Sequence, residues 1–305
     1  MKTQINQLVE KVERLKAEKK AVILAHNYQI PEIQEIADFL GDSLELSKIS
    51  KAVDCEMIVF CGVQFMAETA KILSPHKKVV LPVLDAGCPL ADMIRPEELI
   101  ELKAANPEAW VVSYVNSSAQ IKALSDICCT SANAVTVVKN VPAKKIIFVP
   151  DKNLGWWVTK HNPDKEIILW DGYCIVHEHF TLDELHHCRR LRPDAKIMVH
   201  PECRKEILEE ADFVLSTAGM MREVKASIHQ KFIIGTEEGL IYRLKRENPT
   251  KEFFSLGSPK TCINMKRTSM EDLVLALEEE KYLIELDNQI IKKSQVALER
   301  MVKYV

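Results

Sequence analysis

Three cysteines at nearly equal intervals constrain this 305-residue chain more than any other feature. Each follows an apolar run: Cys88 closes VVLPVLDAGC, Cys174 closes EIILWDGYC and Cys262 closes EFFSLGSPKTC. The first two are 86 positions apart and the second two 88, the spacing that three copies of one unit produce. Between them, short apolar runs alternate with amphipathic helical segments across short connections. That is the pattern of small parallel sheets covered by helices on both faces. The expected fold is α/β, with three αβα units related by a pseudo-threefold axis: residues 1–90, 91–176 and 177–264, then C-terminal helices over 265–305 packing on the first unit. Copies that face one axis bring three thiolates to one point.

The repeat extends beyond cysteine. The first strand of each unit runs into polar residues: His26-Asn27-Tyr28 after AVILAH, Tyr114-Val115-Asn116 after AWVVS, and His200-Pro201-Glu202 after AKIMV. Parallel sheets place ligands at the carboxyl ends of their strands. A second set, Ser43, Ser131 and Ser216-Thr217, recurs with intervals of 88 and 85 at expected helix starts. Such hydroxyls either cap a helix or, with the free N–H groups there, bind a phosphate or carboxylate.

With 47% hydrophobic and 28% charged residues the chain has the makeup of a globular protein. A net charge of −3, and no Lys/Arg run interleaved with aromatics, argue against a nucleic-acid surface and for a small-molecule partner. No apolar run approaches the ~18–20 residues of a membrane span. The N-terminal segment places Ile5, Leu8, Val9, Val12 and Leu15 on one face of a charged helix, unlike a signal peptide, so a cytoplasmic location is expected.

Nine cysteines, an odd number, in a reducing compartment are better read as ligands, nucleophiles or packed thiols than as a disulfide framework. Cys55, Cys61, Cys128, Cys129 and Cys188 read as packed thiols; Cys203, beside His200 and Glu202, is ambiguous. There is no CxxC pair and no HExxH. Three convergent thiolates suit an iron-sulfur cluster with one iron lacking a protein ligand, an open Lewis-acid position rather than an electron-transfer centre. Three other functions remain open at this point: a cluster-dependent dehydratase of a hydroxy acid, a cluster-based sensor or electron carrier, and a zinc-stabilised sugar-phosphate binder.

The segments HNYQIPEIQEIADFLGDS, GVQFMAETAKIL, CPLA, YVNSSA, TSANAV, PDKNLG, GYCIVH, AKIMVHPEC, ADFVLSTAGM, GTEEGLIYRLK and CINMK, in that order, resemble the quinolinate synthase family from about residue 20 to 270. The resemblance implies a 4Fe-4S cluster held by Cys88, Cys174 and Cys262 at the centre of three related αβα domains. It also implies condensation of iminoaspartate with dihydroxyacetone phosphate to quinolinate, phosphate and water in de novo NAD synthesis, the iminoaspartate coming from an aspartate oxidase or dehydrogenase. His26, Ser43, Tyr114, Asn116, Ser131, His200, Glu202 and Thr217 match the family's substrate-contacting positions. In this picture Glu202 moves protons, His200 assists, and Tyr28 and Tyr114 are proton donors or gates. The sequence departs from the family's pattern at Tyr173 and Ile175, beside the second cysteine, and at Gly87 before the first.

Overall fold

A computed structural model describes residues 2–303. Twelve strands among them form three four-stranded sheets, parallel throughout. The first contains β1 (Ala21–His26), β2 (Phe39–Gly41), β3 (Met57–Cys61) and β4 (Lys78–Val80); the second, β5 (Trp110–Tyr114), β6 (Ile127–Cys129), β7 (Lys145–Val149) and β8 (Glu166–Leu169). The third contains β9 (Lys196–Val199), β10 (Phe213–Val214), β11 (Lys231–Gly235) and β12 (Glu252–Ser255). Every sheet has the same spatial order, second-first-third-fourth strand. The α/β fold of three similar units expected from the sequence is therefore present. Strands such as MIVFC in β3 are buried along their length because helices cover both faces, which is why they read as unbroken apolar runs.

The second strand of each sheet was not expected, and the residue that builds it recurs with the repeat. Asp38, Asp126 and Asp212 immediately precede β2, β6 and β10. Each accepts, through Oδ2 at 2.8 Å, the backbone N–H of Ile23, Val111 or Ile197 in the neighbouring first strand. Each Asp N–H returns a bond to the carbonyl of that same residue at 3.0 Å. A charged acceptor on a backbone donor is worth about 1.5–3 kcal/mol.

A second device closes each unit. Ser74-Pro75, Asn162-Pro163 and Asn248-Pro249 end helices, as proline cannot continue them. Two residues beyond each proline comes a lysine. Lys77 Nζ donates to the carbonyls of Ser50 and Val53, Lys165 to those of Val141 and Ala143, and Lys251 to those of Val224 and Ser227, at 2.5–3.0 Å. Each ammonium thus meets carbonyls at or just past a helix C-terminus, where the helix dipole favours positive charge.

The chain divides into two compact units: one runs to Cys88 and takes up Cys262–Lys292, and the other comprises Pro89–Thr261 and the chain from Lys293. In the first unit, Val12 and Leu15 of the helix Lys2–Lys19 and Leu273 and Leu277 of the helix Met270–Glu279 share a core with Ile23 and Val59. Burying each such side chain contributes roughly 1.5–3 kcal/mol. The second unit contains the second and third sheets. The last helix, Asn288–Lys303, does not follow the expectation that both C-terminal helices pack on the first unit. Ser294 Oγ donates to the Ala119 carbonyl at 2.9 Å, Arg300 donates to the Asp126 carbonyl at 2.7 Å, and the Arg300 guanidinium lies 5.5 Å from the Trp110 ring centre. No helix of the described residues is long and apolar enough to cross a membrane.

Candidate active site

In the second unit the polar residues at the ends of β5 and β9 meet around one buried carboxylate, Glu202, which is 3% exposed. Asn116 Nδ2 donates to its Oε1 at 3.1 Å, the Tyr114 hydroxyl bonds to it, and His177 Nδ1 stands 2.7 Å from its Oε2. His200 Nδ1 lies 3.5 Å from the same Oε2, and His200 Nε2 lies 3.1 Å from Ser131 Oγ. The two imidazoles stack, with ring centres 4.6 Å apart. The chain thus brings together Tyr114, Asn116, Ser131, His200 and Glu202. It adds His177, which sequence reasoning left out although it lies within GYCIVH.

Burial alone would raise the Glu202 pKa. The charges of His200 and His177 outweigh it, and with the His177 and Tyr114 hydrogen bonds they bring Glu202 down to about 2. Asp151 goes the other way. It is fully buried, and burial followed by the nearby Glu202 charge pushes its carboxyl well above the usual range. Two neighbouring carboxyls whose surroundings push their pKa values apart are the arrangement that acid–base chemistry uses.

Asp151 also anchors the cysteine loop. Its Oδ1 accepts the Leu154 N–H at 2.7 Å, capping the helix Lys152–His161, and its Oδ2 accepts the Cys174 N–H at 3.2 Å. Gly172 packs its Cα on the Pro150 carbonyl so tightly that any Cβ would collide with it. Asn153 Nδ2 donates to the Glu202 carbonyl at 3.1 Å and to Glu178 Oε2 at 2.8 Å. The PDKN segment therefore holds both the Cys174 loop and the strand end that bears Glu202. Cys174 Sγ lies 3.2 Å from His177 Nδ1.

In the first unit, His26 ends β1, and its Nδ1 accepts the Tyr28 N–H at 3.2 Å. The two rings meet edge to face at 4.5 Å. Lys266 Nζ donates to the Tyr28 carbonyl and Gln29 Nε2 to the Met265 carbonyl, both at 2.6 Å, tying HNYQ to the segment after Cys262.

The helix-start hydroxyls divide differently from the expectation. Asp42, not Ser43, caps the helix Ser43–Ala52, and Asn133 takes the cap position of Ala134–Asn140, with Ser131 in the preceding turn. Only Ser216 caps with its own hydroxyl, onto the Gly219 N–H at 3.2 Å, and Thr217 is the first residue of that helix. The residue before Ser43 and before Thr217 fills the cap, so neither of these hydroxyls is needed for it.

The family model described as quinolinate synthetase A protein matches residues 10–303. The quinolinate synthase of Thermodesulfovibrio yellowstonii is 52% identical over 301 residues, 99% of each chain. That of Alkaliphilus metalliredigens is 49% identical over 296 residues, 97% of this chain and 98% of the relative. The Caldicellulosiruptor bescii enzyme is 50% identical over 299 residues, 98% and 99%. The chain belongs to the quinolinate synthase family.

For a member of this family the cysteines divide in an informative way. Cys61, Cys128, Cys129, Cys188 and Cys203 are buried, while Cys88, Cys174 and Cys262 are half-exposed and share that state only with Cys55. Burial pushes the Cys128 thiol up to about 12, and raises Cys61, Cys129 and Cys203 as well. The half-exposed thiols of Cys88, Cys174 and Cys262, each in the loop after the last strand of its sheet, are of the donor type that iron-sulfur groups take.

Proposed function

We propose that this protein is a quinolinate synthase that condenses iminoaspartate with dihydroxyacetone phosphate to quinolinate, phosphate and water, with Cys88, Cys174 and Cys262 holding a 4Fe-4S cluster. The observation that carries this reading is the Glu202 carboxylate, buried and ringed by Tyr114, Asn116, His177 and His200 at the strand ends of a quinolinate synthase fold. The cluster, when bound, supplies a Lewis-acid position for a substrate oxygen at the iron without a protein ligand.

The protein's own groups do the rest. Glu202, held ionised, takes a proton from the substrate in the enamine step and returns one in the dehydration. Tyr114, bonded to that carboxylate, is positioned to pass a proton to the same site, and Tyr28 serves as donor or gate. Asn116 orients the carboxylate through Oε1, and His200 steadies the charge. His26, Ser43, Ser131 and Thr217 supply donors for the anionic groups of two substrates that together carry two carboxylates and a phosphate. Burial excludes water from the reacting groups and strengthens each of these interactions.

The test is anaerobic reconstitution followed by an assay for quinolinate and phosphate from both substrates. Equal formation of the two products is expected. A reconstituted protein that releases phosphate without quinolinate contradicts the reading. Serine in place of Cys88, Cys174 or Cys262 abolishes the cluster absorbance, while Cys55→Ser keeps it; a full cluster in Cys174→Ser removes that ligand.

A further inference from the structure

We infer that the cluster-free protein binds a single divalent ion of the zinc class at Cys174, His177 and Glu202. One donor atom from each residue lies within 4.8 Å of the other two, and no other group of three such side chains does so among the described residues. His177 Nδ1 is the shared vertex, 3.2 Å from Cys174 Sγ and 2.7 Å from Glu202 Oε2. Zinc binds sulfur at about 2.3 Å and nitrogen or oxygen at about 2.0–2.2 Å, which separates tetrahedral donors by roughly 3.3–3.6 Å. The Cys174–His177 and His177–Glu202 pairs reach that spacing by parting less than about 1 Å. One thiolate, one imidazole and one carboxylate, with a fourth position open, belong to the donor types that zinc takes.

The surrounding contacts orient each ligand. His177 Nε2 lies 2.8 Å from Thr236 Oγ1, which holds the ring with Nδ1 toward Cys174 and Glu202. Asn116 occupies Glu202 Oε1, and Oε2 faces His177 Nδ1. Asp151 holds the Cys174 backbone. His177 and Glu202 are buried and Cys174 is half-exposed, so an ion enters past the thiol. On binding, the thiol proton and the proton on His177 Nδ1 leave to solvent as the sulfur–metal and nitrogen–metal bonds form, and no electron is transferred.

The ion site stands on these distances alone. Its exclusion of the cluster rests also on the function proposed above, because both occupants use Cys174. A zinc-loaded protein accepts no full cluster and has its Glu202 carboxylate covered.

The test uses full-length, metal-free, cluster-free protein titrated anaerobically with cobalt(II), read by the thiolate-to-cobalt charge-transfer band and displaced by zinc(II). One equivalent with a single-thiolate spectrum is expected, unchanged in Cys88→Ser and Cys262→Ser. His177→Ala and Glu202→Gln weaken binding at least about tenfold, and Thr236→Val, which removes no ligand, weakens it about 10–100-fold. Loss of the band in Cys88→Ser or Cys262→Ser overturns the site, as does wild-type affinity in His177→Ala. Should His177→Ala fail to fold, wild-type affinity in Thr236→Val overturns it. Zinc-loaded protein that assembles a full cluster while keeping its zinc refutes the exclusion and leaves the ion site standing.

Discussion

After β1 the chain reads His26-Asn27-Tyr28 and after β9 it reads His200-Pro201-Glu202, and at both places the backbone N–H two residues beyond the histidine points at its ring Nδ1. The distances are 3.2 Å for Tyr28 onto His26 and 3.4 Å for Glu202 onto His200. One backbone device thus sets two imidazoles. What differs is the side chain of the residue whose backbone supplies the N–H. At β1 it is a tyrosine whose ring leans on the histidine, with its carbonyl held by Lys266. At β9 it is a carboxylate under the influence of two imidazoles, with Asn116 and Tyr114 bonded to it. Repetition supplies the scaffold, and the residue at one position decides whether a strand end can hold charge.

The largest expected effect separates the two histidines. His200→Ala lowers kcat about 10²–10⁴-fold, the usual weight of acid–base assistance. His26→Ala acts chiefly through KM. Steady-state kinetics of the two reconstituted variants decide this, and equal kcat losses would erase the distinction. A smaller effect tests the shared scaffold. Asp38→Ala, Asp126→Ala and Asp212→Ala each cost about 1.5–3 kcal/mol in urea unfolding, since each removes the same bond to a first strand. Costs that differ widely among the three would mean that the units are not energetically alike.

The smallest effect is in pH. Burial raises Glu202, and the imidazoles bring it below its unfolded value to about 2, so its stabilising contribution is present above about pH 4.3 and drains as pH falls toward 2. Asp151 is raised by burial and by the Glu202 charge, and it penalises the fold once the pH passes its unfolded value near 3.9. Urea midpoints of cluster-free protein between about pH 2 and 5 show a shallower acid decline in Glu202→Gln than in wild type. Identical slopes would contradict the depressed carboxyl.

Much of this fold was legible because fully buried parallel strands are written as uninterrupted apolar runs, and AVILAH, EMIVFC and KFIIG stand out on sight. The two- and three-residue strands β2, β6 and β10 were not, since so short a strand has no periodicity. The signal was one residue away, in Asp38, Asp126 and Asp212. The polar strand ends declared Glu202 and His200. His177 did not declare itself, because a histidine three residues after a cysteine in a loop has no strand end to mark it, and only the folded loop sets it against both Cys174 and Glu202. Asp151 did not declare itself either, because its bond to the Cys174 N–H spans 23 residues that no local pattern connects.

The central claim is that the β9 strand end performs the proton transfers and the cluster ligands lie elsewhere in the chain. Glu202→Gln in anaerobically reconstituted protein tests it most directly, with cluster absorbance and quinolinate formation measured on the same sample. A wild-type cluster with quinolinate formation reduced about 10²–10⁴-fold is the predicted result. Near-wild-type turnover with the cluster intact would contradict it.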